Sequence, residues 1–130
     1  MTEIKKLTKI ALIVDAIIWL IFGIMLMFFF DTTLNYEGWT NPLHVRAFGG
    51  IALVAFLFVI IMLRQKEWEK IKLLFICLIS MCISVVIIEA VVLAAFASTF
   101  LPATVSQMIL DLILNGGKNV LSIVAYIKQR

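Results

Sequence analysis

The chain has 130 residues, of which 64% are hydrophobic and 15% are charged, and its mean hydropathy is +1.14. Soluble domains carry about 25% charged residues, so this composition excludes a water-soluble globule and indicates an integral membrane protein. The net charge of +3 does not indicate a nucleic-acid partner, because the basic residues follow the pattern of a membrane topology signal.

Four apolar segments are long enough to cross a membrane as helices. They comprise residues 10–30, 43–63, 73–97 and 103–127, and a spanning helix needs about 20 mostly apolar residues. The first segment exceeds the ~7–15 apolar residues of a signal peptide and is expected to remain in the mature protein. Short connections make neighbouring helices antiparallel. The sequence therefore predicts an all-α, polytopic membrane protein, with residues 1–130 forming one antiparallel four-helix transmembrane domain.

The basic residues predict the orientation of this bundle. Nine of the eleven flank the same side of the four segments: Lys5, Lys6, Lys9, Arg64, Lys66, Lys70, Lys72, Lys128 and Arg130. Cytoplasmic flanks of membrane helices are enriched in lysine and arginine. We therefore expect a multi-pass membrane protein with both termini in the cytoplasm.

The fourth segment carries a polar stripe. On a helical wheel, six polar residues fall within about 40° of one line and extend over about 27 Å. They are Thr104, Gln107, Asp111, Asn115, Lys118 and Ser122. One interpretation is a seam of hydrogen bonds between helices or subunits, which we favour; the other is the lining of a cavity or conduction path. Gly116 and Gly117 beside the stripe permit either a bend or close helix packing, and we favour close packing.

Two ion pairs are predicted among the ionisable residues inside the segments, since such residues usually face the bundle interior. Asp15 and Lys118 lie at similar depths from the basic side, although Lys118 could instead extend to the lipid headgroups. Arg46 and Glu89 both lie near the opposite side and are the second candidate pair. The alternative partners of Arg46 are Asp31 and Glu37 in the loop before it.

Catalytic and cofactor sites have little support in the sequence. Cys77 and Cys82 are about 140° apart on a helix and cannot pair with each other, so we expect them to act as small hydrophobic residues. The single histidine, His44, gives no metal-ligand set. We therefore expect no enzyme activity, no metal site and no cofactor.

The stretch "HVRAFGGIAL", which follows a first segment ending in "FGIMLMFFFDTTL", resembles the small four-helix DoxX-like membrane proteins. The matching positions are Arg46, Gly49 and Gly50, together with Gly23. The third segment departs from that family because it carries Glu89 in place of a Gly-Arg pair. The resemblance implies a four-helix membrane fold and an association with respiratory or redox complexes, and it covers about the first half of the chain.

Three functions are compatible with these features. The first, which we favour, is a structural or accessory membrane subunit held by polar interhelical seams, within a homo-oligomer or larger complex. The second is an oligomeric small transporter or channel lined by the fourth segment. The third is a lipid-, quinone- or sterol-binding protein with a pocket near His44, Arg46 and Glu89.

Overall fold

The computed structural model describes residues 2–29, 42–100 and 102–129. Within these residues the chain forms four long helices: α1 (Lys6–Phe28), α2 (Pro42–Leu63), α3 (Trp68–Phe96) and α4 (Pro102–Gln129). A short 3₁₀ turn, Ala97–Thr99, follows α3. The predicted all-helical architecture is confirmed, and all four helices are long and apolar enough to cross a membrane. The loop that contains Asp31 and Glu37 lies outside the described residues.

The helices extend beyond the predicted apolar segments on the basic side. α1 begins four residues earlier than predicted, α3 begins five residues earlier, and α4 ends two residues later. Hydropathy marks only the apolar part of a helix, whereas lysine and glutamate are good helix formers and allow the helix to continue. The charged flanks are therefore helical turns rather than loops.

The start of α1, the connection 64–67 and the end of α4 meet at one end of the structure. Ile4 N–H donates to the carbonyl of Lys66, and Trp68 N–H donates to the carbonyl of Thr2. The backbone N–H of Lys5 donates to the side chain of Gln129. We call this the basic end. The start of α1, the end of α2, the start of α3 and the end of α4 therefore lie at the basic end. Helices that follow each other in the chain run in opposite directions.

The helices pack in the order α2, α1, α4, α3. α1 has its most extensive contact with α2, α4 lies between α1 and α3, and α2 and α3 meet over few residues. The α1–α2 contact depends on two glycines. A Cβ at Gly49 would lie 2.6 Å from the backbone nitrogen of Met27, and one at Gly23 would lie 2.7 Å from the side chain of Leu53. A larger residue at Gly49 would have to displace the backbone of α1, whereas one at Gly23 would first displace the side chain of Leu53.

Gly116 and Gly117 do not take part in close helix packing. A Cβ added at either position would meet nothing within 4 Å, so the predicted close approach at these residues is wrong. The tight contact lies instead at Gly23 and Gly49, because α1 and α2 are the helices whose backbones come closest together.

Large apolar side chains cover the outside of all four helices. Ile17, Leu57, Ile87 and Ile113 are examples, and each is more than half exposed. Such a continuous apolar exterior would be unfavourable in water but matches the hydrocarbon layer of a membrane.

Candidate functional site: a buried polar seam

Asp15 and Lys118 form the centre of the polar contacts between α1 and α4. Lys118 Nζ lies 3.5 Å from Asp15 Oδ1, and the two side chains are only 1% and 2% exposed. Both residues sit on helices whose other faces are apolar. A charge removed from water in this way is strongly disfavoured unless an opposite charge accompanies it. The structure thus brings together the two residues that the sequence paired by depth.

Three further side chains complete the surroundings of this pair. Ser122 Oγ donates to Asp15 Oδ2 over 3.0 Å, which links α4 to α1 a second time. Lys118 Nζ donates to Cys82 Sγ over 2.7 Å, which links α4 to α3. The ammonium also lies 4.4 Å from the centre of the Trp19 ring, an arrangement that stabilises a cation through the face of an aromatic ring. Lys118 therefore joins three helices.

Glu89 extends these contacts toward the opposite end of the bundle. Asn115 Nδ2 donates to Glu89 Oε1 over 3.0 Å, which forms a second link between α4 and α3. Asp111 lies one helical turn from Asn115 and within electrostatic range of Glu89. We call the group Asp15, Cys82, Glu89, Asn115, Lys118 and Ser122 the polar seam.

The predicted Arg46–Glu89 pair is absent from the described residues. Glu89 takes its hydrogen bond from Asn115, and its other carboxylate oxygen has no hydrogen-bond partner. The reason is that α2 and α3 meet over few residues, so a shared depth near this end does not place Arg46 beside Glu89. Similar depth in a membrane was therefore insufficient to bring these two residues together.

The polar stripe of α4 divides into two parts. Asn115, Lys118 and Ser122 are buried and contact other helices, as described above. In the other part, Thr104 is buried and Gln107 and Asp111 are half-buried. The hydrogen bonds of the described residues include none from these three side chains to another helix.

A second polar cluster holds the basic end closed. Gln129 Oε1 accepts hydrogen bonds from the backbone N–H of Lys5 over 2.7 Å and from Thr8 Oγ1 over 2.9 Å. Gln129 Nε2 donates to the carbonyl of Glu3 over 2.9 Å, and Lys5 Nζ donates to the carbonyl of Lys128. We call Glu3, Lys5, Thr8 and Gln129 the basic-end clasp. It ties the N-terminal segment to the last turn of α4.

An apolar layer separates the polar seam from the basic-end clasp. Asp15 and Thr8 are seven residues apart on α1, as are Ser122 and Gln129 on α4, which corresponds to about 10 Å along each helix. Leu12 and Ala125 lie in these intervals, and both are fully buried. The two polar regions are thus separated by packed side chains at this level.

Several members of these clusters had no role in the sequence-based prediction. Gln129 and Thr8 were not singled out, although Gln129 lies seven residues after Ser122 and so continues the stripe of α4. Cys82 was expected to act as a small hydrophobic residue, but it contacts the Lys118 ammonium. Trp19 is four residues after Asp15, which places it on the same face of α1. The contact of Cys82 had no sequence signal, because it depends on the rotation of α3 about its axis.

Comparison with known proteins adds no assignment. The chain matches no protein-family model, no curated protein and no solved structure. The resemblance to DoxX-like proteins therefore stays a prediction from the short motif around Arg46.

Proposed function

We propose that this chain is a multi-pass membrane protein with a structural or accessory role in a homo-oligomer or larger membrane complex. The supporting observation is the polar seam, in which the buried charges of Asp15 and Lys118 are paired with each other. Lys118 contacts Asp15, Cys82 and Trp19, and Ser122 and Asn115 are also engaged with neighbouring helices. Contacts of this kind hold neighbouring helices in fixed positions.

The arrangement at the basic end supports the same role. Leu12 and Ala125 pack between the clasp and the seam, and the described residues show no direct hydrogen bond between the clasp side chains and the seam. A conduction path along α4 would need a polar connection between them, because an ion or proton cannot cross several ångströms of packed apolar side chains without polar partners.

The orientation of the chain is part of this proposal. The N-terminal segment, the connection 64–67 and the end of α4 lie together, so the basic residues near them share one end. The distribution of lysine and arginine favours the cytoplasm for that end.

A small transporter is the alternative, and the far part of the α4 stripe favours it. Gln107 and Asp111 are half-buried, and Glu89, which has one carboxylate oxygen without a hydrogen-bond partner, lies within electrostatic range of Asp111. This group could line a polar recess that opens away from the basic end, especially if copies of the chain assemble around it.

Two measurements on the reconstituted protein distinguish these functions. In liposomes loaded with a pH-sensitive dye under a potassium gradient, the structural role predicts a leak equal to that of empty liposomes. After gentle solubilisation of native membranes, it predicts a discrete complex larger than a single chain on native gels. A proton or cation flux that Asp111→Leu abolishes would overturn the proposal in favour of transport, as would recovery of the chain only as a monomer.

A further inference from the structure

An open groove lies between α2 and α3. It has a volume of about 260 Å³ and is lined on α2 by Ile51, Val54, Ala55, Phe58 and Met62, and on α3 by Leu74, Cys77, Leu78 and Met81. It exists because α2 and α3 meet over few residues, while their connection, 64–67, holds their ends together. All of its lining side chains are apolar apart from the thiol of Cys77, so an apolar occupant is required.

The length of the groove matches one leaflet of a membrane. Ile51 and Met62 are eleven residues apart, which corresponds to about 16 Å along α2. The hydrocarbon core of a bilayer is about 30 Å thick, so each leaflet contributes about 15 Å. Met62 is next to the last residue of α2, so the groove begins at the basic end and stops near the middle of the membrane. One acyl chain of that leaflet has the required length.

The charge at the mouth of the groove selects the kind of lipid. The short stretch from residue 64 to 72 contains four basic side chains, Arg64, Lys66, Lys70 and Lys72, against two acidic ones, Glu67 and Glu69. Lys70 lies one helical turn before Leu74, on the groove face of α3. Its exposed ammonium contacts Glu67 over 2.9 Å, and Lys66 is also exposed. Basic residues at this level attract anionic headgroups.

We propose that the α2–α3 groove is a binding site for an anionic glycerophospholipid, with one acyl chain between the helices and the phosphate beside Lys66 and Lys70. The site is separate from the polar seam and does not depend on the function of the seam. It differs from the sequence-based hypothesis of a pocket near Arg46, because it lies at the opposite end of the bundle.

Native mass spectrometry of the purified protein tests this proposal. The protein is titrated with phosphatidylglycerol and with phosphatidylcholine of identical acyl chains. We expect one retained phosphatidylglycerol and at least tenfold weaker retention of phosphatidylcholine. One lysine beside an anionic lipid is worth about 1 kcal/mol, so Lys66→Gln and Lys70→Gln should each weaken phosphatidylglycerol binding roughly fivefold. These exposed substitutions leave the packing of the helices intact.

A second variant tests the acyl-chain position. Cys77→Trp fills the groove and should abolish retention of both lipids. Leu73→Trp is the matched control, because Leu73 is 76% exposed near the same depth but does not line the groove; it should bind as the wild type does. Equal retention of the two lipids by the wild type would overturn the proposal, as would unchanged binding by Cys77→Trp. Efficient oxidative crosslinking between Cys77 residues of two copies, in a Cys82→Ala variant, would also overturn it by placing a second chain in the groove.

Discussion

At Lys118, one ammonium group faces a carboxylate, a thiol and an indole ring, each from a different position in the bundle. This geometry explains why a lysine is tolerated at such depth. Each contact alone is modest, but together they replace the water that the ammonium would have outside the membrane. The same reasoning predicts that the charge of Lys118 and that of Asp15 stabilise the fold only as a pair.

A double-mutant cycle on this pair measures that dependence. Lys118→Met keeps the length of the side chain and removes its charge, which leaves Asp15 buried beside no cation. We expect the free energy of unfolding to fall by about 3 kcal/mol, since breaking a buried ion pair on one side typically costs this much. The change would be followed by circular dichroism during unfolding in detergent.

The control for that cycle is the neutral double variant. Asp15→Asn combined with Lys118→Met removes both charges and should recover most of the lost stability. If the losses in the free energy of unfolding caused by the two single substitutions instead add up in the double variant, the ion pair would have no stabilising role. The account of Lys118 would then be wrong.

The adjacent residues Gly49 and Gly50 give a second prediction with its own control, because only Gly49 lies in the α1–α2 contact. Gly49→Ala places a methyl group against the backbone of Met27 and should destabilise the protein by about 1–3 kcal/mol, the usual cost of overpacking. Gly50→Ala adds the same group where nothing lies within 4 Å. It should be neutral or stabilise by up to about 1 kcal/mol, because alanine is the better helix former. Thermal unfolding of both variants in one detergent compares them directly, and equal melting temperatures would contradict the tight contact.

These residues also show what the sequence could and could not predict. Counting along rigid helices gives depth, and this was sufficient to pair Asp15 with Lys118. Depth alone failed for Arg46 and Glu89, because the sequence does not show which helices are neighbours or how each is rotated. For the same reason Gly116 and Gly117 were expected in a close contact that belongs to Gly23 and Gly49.

At the scale of elements, α4 organises the structure. It lies between α1 and α3, and its polar face supplies a side chain to every link of the seam and to the clasp. The helix is therefore recognisable in the sequence as the one with a continuous polar stripe. The extent of the helices could be predicted within a few residues because long apolar segments have few alternatives to helical structure in a membrane. The clasp could not be predicted, because it joins an N-terminal segment without periodicity to the last turn of α4.

The clasp is expected to open independently of the helices. Gln129→Ala removes three hydrogen bonds of one side chain. We expect the amide protons of Lys5 and Trp68 to exchange about fivefold faster, since a hydrogen bond contributes about 1 kcal/mol. Hydrogen–deuterium exchange measured by mass spectrometry or NMR detects this change.

The same experiment has a matched control at the end of α4. Ile127→Ala alters an exposed residue outside the clasp and should leave the exchange at both amides unchanged. Faster exchange throughout α1 and α4 in the Gln129 variant would show that the clasp is part of the global fold, contrary to our account.

At the scale of the whole molecule, the bundle is asymmetric. Polar contacts are concentrated among α1, α3 and α4, whereas α2 joins through the glycine contact with α1 and leaves a groove beside α3. The structural role rests on the polar contacts, and the lipid site rests on the groove between α2 and α3.

The central claim is that the polar seam holds the helices together and is closed to water around Lys118. The reactivity of Cys82 tests this claim most directly. In a Cys77→Ala variant, Cys82 is the only thiol and retains its contact with Lys118. Membranes are treated on both sides with a small water-soluble methanethiosulfonate, and modification is read from the mass of the intact protein. A control carrying Thr2→Cys in a background without Cys77 and Cys82 reports a water-exposed thiol. We predict that Cys82 stays unmodified until the protein is denatured, whereas modification of Cys82 in native membranes at a rate near that of the control would contradict the account.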